Sequence, residues 1–228
     1  MKARLIAARP IAPFTSHFEF EALDWDAAFV PGQFLSITQT IGDDAITRAY
    51  SIASPPDGRS FALCANLVPD GRFSPFLFGM KPGDHIDFKG PYGAFILRRP
   101  VADSIFVATG TGIAPFRSML LAKLAEHADK NFTLVFGVRH EEGLLYHGEW
   151  LRMAGEFGNL RYLPTLTRPS QEWTGLEGRV HPHVIEALGE RRDMDIYICG
   201  LREMVDELRV KLKELGVDRK RLIYEKYD

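Results

Sequence analysis

Cysteine is scarce: only Cys64 and Cys199 occur in 228 residues, and they lie far apart. That excludes a disulfide framework, a four-cysteine zinc site and a four-cysteine iron–sulfur cluster within the chain. The seven histidines show no HExxH or comparable ligand spacing. His181 and His183 in RVHPH are read as solvent-facing loop residues, and no metal is expected. Long apolar runs are also missing; nothing approaches the roughly 18 residues that a bilayer span requires. The opening MKARLIAARPIAPF carries Lys2 and Arg4 but no apolar stretch of signal-peptide length, and Pro10 interrupts it. An excess of one charge sign is absent too: 28 basic against 30 acidic side chains give a net charge of -2, so there is no global electrostatic footprint for nucleic acid or an anionic membrane. These absences describe a soluble, cytoplasmic chain with neither nucleic acid nor membrane among its expected partners.

What is present falls into two grammars. At 46% hydrophobic residues the chain can bury a substantial core, as one large domain or two small ones. Up to about Arg99 it reads as short strands and turns. His17–Glu21 alternates polar and apolar, Phe34–Ile37 and Tyr50–Ile52 share the habit, and Phe61–Leu67 places bulky apolar residues at every second position. Pro31-Gly32, Gly42-Asp43, Pro55-Pro56-Asp57-Gly58, Pro69-Asp70-Gly71 and Pro82-Gly83-Asp84 punctuate them. Short strands so spaced predict a small antiparallel barrel or sandwich. After Pro100 strands alternate with helices: 104–108 then a helix from about Pro115 to His127, 132–138 then one around Gly148 to Phe157, 195–198 then Leu201 to Leu215. In the last helix Leu201, Met204, Val205, Leu208, Leu212 and Leu215 share a face, and Gly216 stands where a left-handed terminating residue belongs. This alternation predicts a parallel sheet covered by helices, with domains at 1–99 and 100–228.

One turn carries chemistry by construction. The apolar strand Ser104–Ala108 runs into Thr109-Gly110-Thr111-Gly112-Ile113-Ala114-Pro115, and Phe116, Met119, Leu120 and Leu124 then recur at helical spacing. Proline suits a first helical turn, where its missing N–H costs nothing. The glycines let backbone approach a ligand closely, and the helix start offers unpaired N–H groups to an anion such as a pyrophosphate. The turn is not the GxGxxG fingerprint, so no acidic ribose partner is sought.

Read together, RAYS (48–51), KPGD (81–84), GPYGAF (90–95), GTGIAPFRSML (110–120), LLYHGEW (144–150), LTR (166–168), CGLREM (199–204) and the terminal Glu225-Lys226-Tyr227 occur in the order and spacing of the ferredoxin–NADP reductase superfamily. The chain resembles that superfamily over nearly its whole length. The resemblance implies an N-terminal FAD-binding antiparallel β-barrel, a C-terminal NAD(P)-binding α/β domain, and a flavin ring held at their junction.

Residue by residue, it implies that Arg48, with Ala49 beside it, pairs with the flavin pyrophosphate, for which a planar guanidinium is suited. Tyr50 resembles the aromatic that packs on the isoalloxazine, and Ser51 the hydroxyl beside flavin N5. Ala65, Asn66 and Leu67 would flank the ribityl chain, and Gly71, Arg72, Phe73 and Ser74 resemble a second phosphate-binding turn. Gly110, Thr111, Gly112 and Pro115 would meet the nicotinamide nucleotide's pyrophosphate. Cys199, followed by Gly200, resembles the cysteine that abuts the nicotinamide, Glu225 the carboxylate near Cys199 and Ser51, and Tyr227 the aromatic lid over the flavin; here the chain runs one residue further, to Asp228. Ser51, Cys199 and Glu225 are the expected catalytic residues.

Thr167-Arg168 matches the hydroxyl–arginine pair that receives the 2′-phosphate in NADP-using relatives, and Leu201 a residue packing near the adenine. The lysine-x-tyrosine element that usually completes that pocket is replaced by Leu176-Glu177-Gly178-Arg179, and Trp173-Thr174-Gly175 resembles a turn found in NADH-using relatives. The reading is FAD rather than FMN and NADP rather than NAD. The implied activity is hydride transfer between NAD(P)H and bound FAD, with electrons exchanged with a separate ferredoxin, flavodoxin or oxygenase component. A reductase of diffusible flavin and a non-catalytic electron-transfer subunit are the alternatives.

Overall fold

A computed structural model of the protein describes residues 1–227. It divides into two compact units: residues 1–97 with 114–122, and residues 98–113 with 123 onward. The second stretch of the first unit is the body of one helix.

The first unit holds six strands, β1 (Lys2–Ala12), β2 (Thr15–Ala22), β3 (Phe34–Ile41), β4 (Asp44–Ser51), β5 (Ser60–Asn66) and β6 (His85–Tyr92), and a short helix α1 (Phe73–Gly79). They form one antiparallel sheet in the order β4-β3-β6-β1-β2-β5. The sheet curls so that its two edges meet, through the bridge between Ile52 and Leu63 and the bond from Ala53 N–H to Ala62 O at 2.7 Å. The unit is thus barrel-like without a closing ladder. Inward residues fill it: Leu5, Phe18, Phe20, Leu35, Ile37, Phe61, Leu63 and Phe88 are all buried, and Trp25 reaches in against Phe88 edge-on, 5.5 Å between rings. Strand β1 escaped the sequence reading because its alternation is broken by register shifts at Leu5/Ala7 and Pro10/Ala12. Pro10 is tolerated because β6 pairs only with Lys2–Arg4, which leaves that stretch of β1 with one neighbour and no demand for a second N–H.

The second unit holds β7 (Ser104–Thr109), β8 (Phe132–Val138), β9 (Leu160–Leu166), β10 (Leu176–Glu177), β11 (Asp195–Leu201) and β12 (Leu222–Tyr227), with helices α3 (His147–Glu156), α4 (Val180–Leu188) and α5 (Arg202–Glu214); α2 (Ile113–Lys123) follows β7 in the chain, and its body belongs to the first unit. The strands are parallel in the order β10-β9-β8-β7-β11-β12. β7 is central and buried on both faces: Ile105 and Val107 join Val184, Leu188, Val205 and Leu208 of α4 and α5, while Phe106 stacks on Tyr197 at 5.1 Å. That two-sided burial is why its sequence is a continuous apolar run.

One helix limit and one loop assignment differ from the sequence reading. The helix set at Pro115–His127 runs Ile113–Lys123, and Ala125–His127 tightens into a 3-10 turn. His181 and His183, read as loop residues, lie in the first turn of α4; Pro182 is accommodated between them because a proline in a first helical turn gives up an N–H that has no partner anyway. Gly216 takes φ +87° and α5 ends on bonds from Gly216 N–H to Lys213 O and Val217 N–H to Leu212 O, the left-handed termination foreseen.

Candidate functional site

The parallel sheet marks its own crevice. From β7 the chain steps outward through β8, β9 and β10, then returns to lay β11 and β12 on the other side of β7. In such sheets ligands bind outside the carboxyl ends of the strands where the order reverses, which here means the turns leaving β7 and β11. These are the segments Gly110–Gly112 and Cys199–Leu201, chosen from the sequence on other grounds.

The two turns abut. Gly112 is buried, and a Cβ on it would lie 2.4 Å from Cys199 O; a Cβ on Gly200, at φ +145°, would lie 2.2 Å from Thr109 Oγ1. Leu201 N–H donates to Thr109 Oγ1 at 3.2 Å. Gly110 differs: it takes φ +52° and a Cβ on it would meet nothing within 4 Å, so the backbone faces open space there. Gly112 and Gly200 allow turn to pack on turn, and Gly110 leaves room for a ligand to reach the main chain. Thr111 is half-buried and Pro115 buried. Thr109, which the sequence reading left unassigned, clasps the two turns, and with 92 residues between donor and acceptor no local pattern could show it.

Strands β11 and β12 pair Cys199 with Glu225, Gly200 with Lys226 and Leu201 with Tyr227. Cys199 is fully buried, and burial pushes its thiol well above the ordinary range, with the Glu225 carboxylate adding to the effect against a hydrogen bond from the Tyr227 side chain. The thiol is therefore protonated and uncharged at neutral pH. It fills space beside the crevice and has no thiolate character for nucleophilic or metal chemistry. Leu201 is 63% exposed. Thr167 and Arg168, just beyond β9, are exposed; Arg168 N–H donates to Arg139 O at 2.8 Å. That bond sets Arg139, also exposed and missed in the sequence, beside Arg168 at the same end of the sheet.

In the first unit β4 carries Arg48, Ala49, Tyr50 and Ser51 opposite Ile37, Ser36, Leu35 and Phe34 of β3. Arg48 and Ala49 are exposed, Tyr50 half-buried and Ser51 buried. Burial pushes the Tyr50 hydroxyl up to about 12, the Arg48 charge opposing it, so Tyr50 stays a neutral aromatic. Its ring lies 5.9 Å from that of Phe73, bringing together two residues singled out separately. Arg72 donates to Asp44 at 2.7 Å and to Ile41 O at 2.8 Å, tying the turn before α1 to the β3–β4 hairpin. Ser74 Oγ accepts from Val68 N–H at 2.9 Å and donates to Val68 O at 3.2 Å, and Gly71 N–H returns to Val68 O at 2.9 Å. The Ser74 hydroxyl thus closes the turn around Gly71. Asn66 ends β5, exposed, its Oδ1 accepting from Thr15 Oγ1 at 3.0 Å; Leu67 N–H donates to Phe14 O at 2.6 Å.

These groups fit a flavin nucleotide: an exposed guanidinium and a neutral aromatic two residues apart on one strand, with a buried hydroxyl next. An exposed arginine suits a pyrophosphate, and a half-buried aromatic edge suits a flat heterocycle. The open main chain at Gly110 fits a second nucleotide.

Comparison with known proteins agrees with both halves. Residues 2–96 match the oxidoreductase FAD-binding domain and residues 106–209 the oxidoreductase NAD-binding domain. The chain is 39% identical over its whole length, and over 97% of the relative's, to ferredoxin–NADP reductase B of Sorangium cellulosum (strain So ce56). It is 31% identical to the electron transfer component of toluate 1,2-dioxygenase from Pseudomonas putida, matching 88% of this chain but 59% of that one. Among solved structures, the ferredoxin reductase in carbazole 1,9a-dioxygenase superposes with a TM-score of 0.87 at 28% identity, covering all of this chain and 69% of that one. The fold, the paired turns and these matches define an oxidoreductase that uses FAD and a nicotinamide dinucleotide. The chain belongs to the ferredoxin–NADP reductase family.

Proposed function

We infer that this protein moves electrons between NADPH and a separate one-electron protein, of ferredoxin, flavodoxin or oxygenase-component type, by way of bound FAD. One observation supports this above the rest: the relative named ferredoxin–NADP reductase B matches this chain end to end. FAD, when bound, supplies the conversion between a two-electron hydride donor and one-electron acceptors.

The chain's own residues bind, orient and exclude water. Arg48 holds the flavin pyrophosphate, Tyr50 with Phe73 behind it supports the ring, and Ser51 offers its hydroxyl to the hydride-accepting nitrogen. Asn66 and Leu67 border the ribityl chain, and Gly71, Arg72 and Ser74 shape a second phosphate turn. Gly110, Thr111 and Gly112 receive the dinucleotide pyrophosphate. Cys199, uncharged and buried, would present a soft apolar surface to the nicotinamide, Glu225 paired with it on β12 would hold a proton there, and Tyr227 would offer an aromatic face to a bound heterocycle. No acid–base pair is needed for hydride transfer itself, so positioning dominates. NADPH is preferred over NADH because Thr167 and Arg168 after β9 and Arg139 after β8 bring one hydroxyl-bearing and two cationic residues to the same end of the sheet, chemistry that suits a phosphomonoester.

The test is purification under native conditions followed by NADPH oxidation with either a plant-type ferredoxin or free flavin as acceptor. Stoichiometric FAD in the purified protein and ferredoxin-dependent turnover are expected. A colourless protein that turns over only with added flavin would mark a diffusible-flavin reductase, and FAD-loaded protein inert toward both nicotinamides would mark a non-catalytic electron carrier.

A further inference from the structure

Strand β4 ends at Ser51, and the next three residues leave the barrel where its edges meet. Ile52 N–H donates to Gln33 O at 3.0 Å and Ala53 N–H to Ala62 O at 2.7 Å, while Ser54 Oγ accepts from Ala62 N–H at 2.9 Å. The carbonyls of Ala53 and Ser54 are met by side chains of α2 instead. Arg117 Nη1 donates to Ala53 O at 2.7 Å, and Ser118 Oγ donates to Ser54 O at 2.6 Å. Ser118 has 0% exposure and Arg117 is half-buried.

An apolar contact would have docked the helix as firmly while leaving the strand free to slide. Two hydrogen bonds on consecutive carbonyls instead fix both peptide planes, since each bond tolerates little change in length or angle. The fixed planes lie two and three residues beyond Ser51. They lie where the two edges of the barrel are joined by a bridge rather than a ladder.

We propose that Arg117 and Ser118 are positioning residues for Ser51, holding its hydroxyl where the reaction needs it. Neither has a role assigned by the nucleotide-binding turns. The proposal rests on the reading that Ser51 serves the flavin, and the experiment separates the two.

The experiment measures the rate of flavin reduction by saturating NADPH, under anaerobic stopped flow, in FAD-loaded Ser51→Ala, Arg117→Ala, Arg117→Lys, Ser118→Ala and the double variant Ser51→Ala/Arg117→Ala. Arg117→Ala is expected to slow reduction about tenfold, as small misplacements of reacting groups do, with half-saturation by NADPH changed less than about twofold. Arg117→Lys, which keeps one donor, should recover most of the rate. In the Ser51→Ala background the loss on adding Arg117→Ala should fall below about twofold, because residues that act through one another are not additive. Losses that multiply in the double variant, or a normal rate in Arg117→Ala, would overturn the proposal while leaving Ser51's role standing. A normal rate in Ser51→Ala would overturn the role of Ser51 and this proposal with it. If Arg117→Ala fails to fold, Ser118→Ala and its double variant with Ser51→Ala complete the same cycle: a loss that vanishes in the Ser51→Ala background supports the proposal, and losses that multiply overturn it.

Discussion

His17 is a polar residue placed where the barrel gives it no water: it is 3% exposed. Its imidazole is pushed down to about 3, first by burial and then by the charges of Arg117 on α2 and Arg9 on β1. Glu19 Oε1 on β2 lies 3.2 Å from Nε2, an acceptor too solvated to restore the proton. In the unfolded chain the same group titrates near 6.5. Between those values the unfolded state holds the extra proton. The contribution to stability is therefore complete above pH 6.5 and falls away as pH drops toward 3, by at most about 1.4 kcal/mol per pH unit. Urea unfolding at pH 7 and pH 4.5 should show a clear fall in the wild type and a smaller one in His17→Gln; equal falls would contradict this assignment.

At the same scale Arg168→Ala should weaken use of NADPH about tenfold or more, the worth of a charge-assisted bond to phosphate, while barely touching NADH. Steady-state kinetics with both donors decide it, and equal effects would remove the case for a 2′-phosphate contact. Individual residues of this kind were the most legible from sequence, because RAYS and CGLREM are local. Thr109 and Arg117 were not legible in their roles, because the atoms they serve lie 92 and 64 residues away.

Among the elements, the turn leaving β7 is the one whose sequence most fully dictated its form: an apolar strand, a glycine-bearing turn, and a proline in the opening of the helix. The structure adds the division of labour between its glycines. Gly112→Ala would thrust a methyl to 2.4 Å from Cys199 O, backbone that cannot swing aside, and should cost about 1–3 kcal/mol of stability and displace Cys199 from its place. Gly110→Ala meets nothing, so its only folding cost is the left-handed φ; its larger effect should fall on NADPH affinity. Denaturant midpoints against NADPH half-saturation separate these outcomes: a larger stability loss at Gly110 than at Gly112 would reverse the assignment. Elements without such a signature were harder to see. β12 is short and lies on the sheet edge beyond β11, and its Leu222-Ile223 apolar pair is too brief to announce a strand. α4 hid behind Pro182.

For the whole molecule, the sequence change near residue 100 from period-two strands to alternating strands and helices made both sheets legible, one antiparallel and one parallel. The strand orders were not, because pairing of β1 with β6 and return of β11 to the side of β7 depend on long-range packing that no window of sequence contains. No helix among the described residues is long and apolar enough to cross a membrane.

Central to the whole molecule's function is FAD that a nicotinamide nucleotide reduces. The most direct test is an anaerobic titration of the purified protein with NADPH and, separately, with NADH, following the long-wavelength flavin absorbance. Stoichiometric bleaching by NADPH, with NADH far less effective, is the predicted result; a folded protein that binds neither added FAD nor NADPH would contradict it.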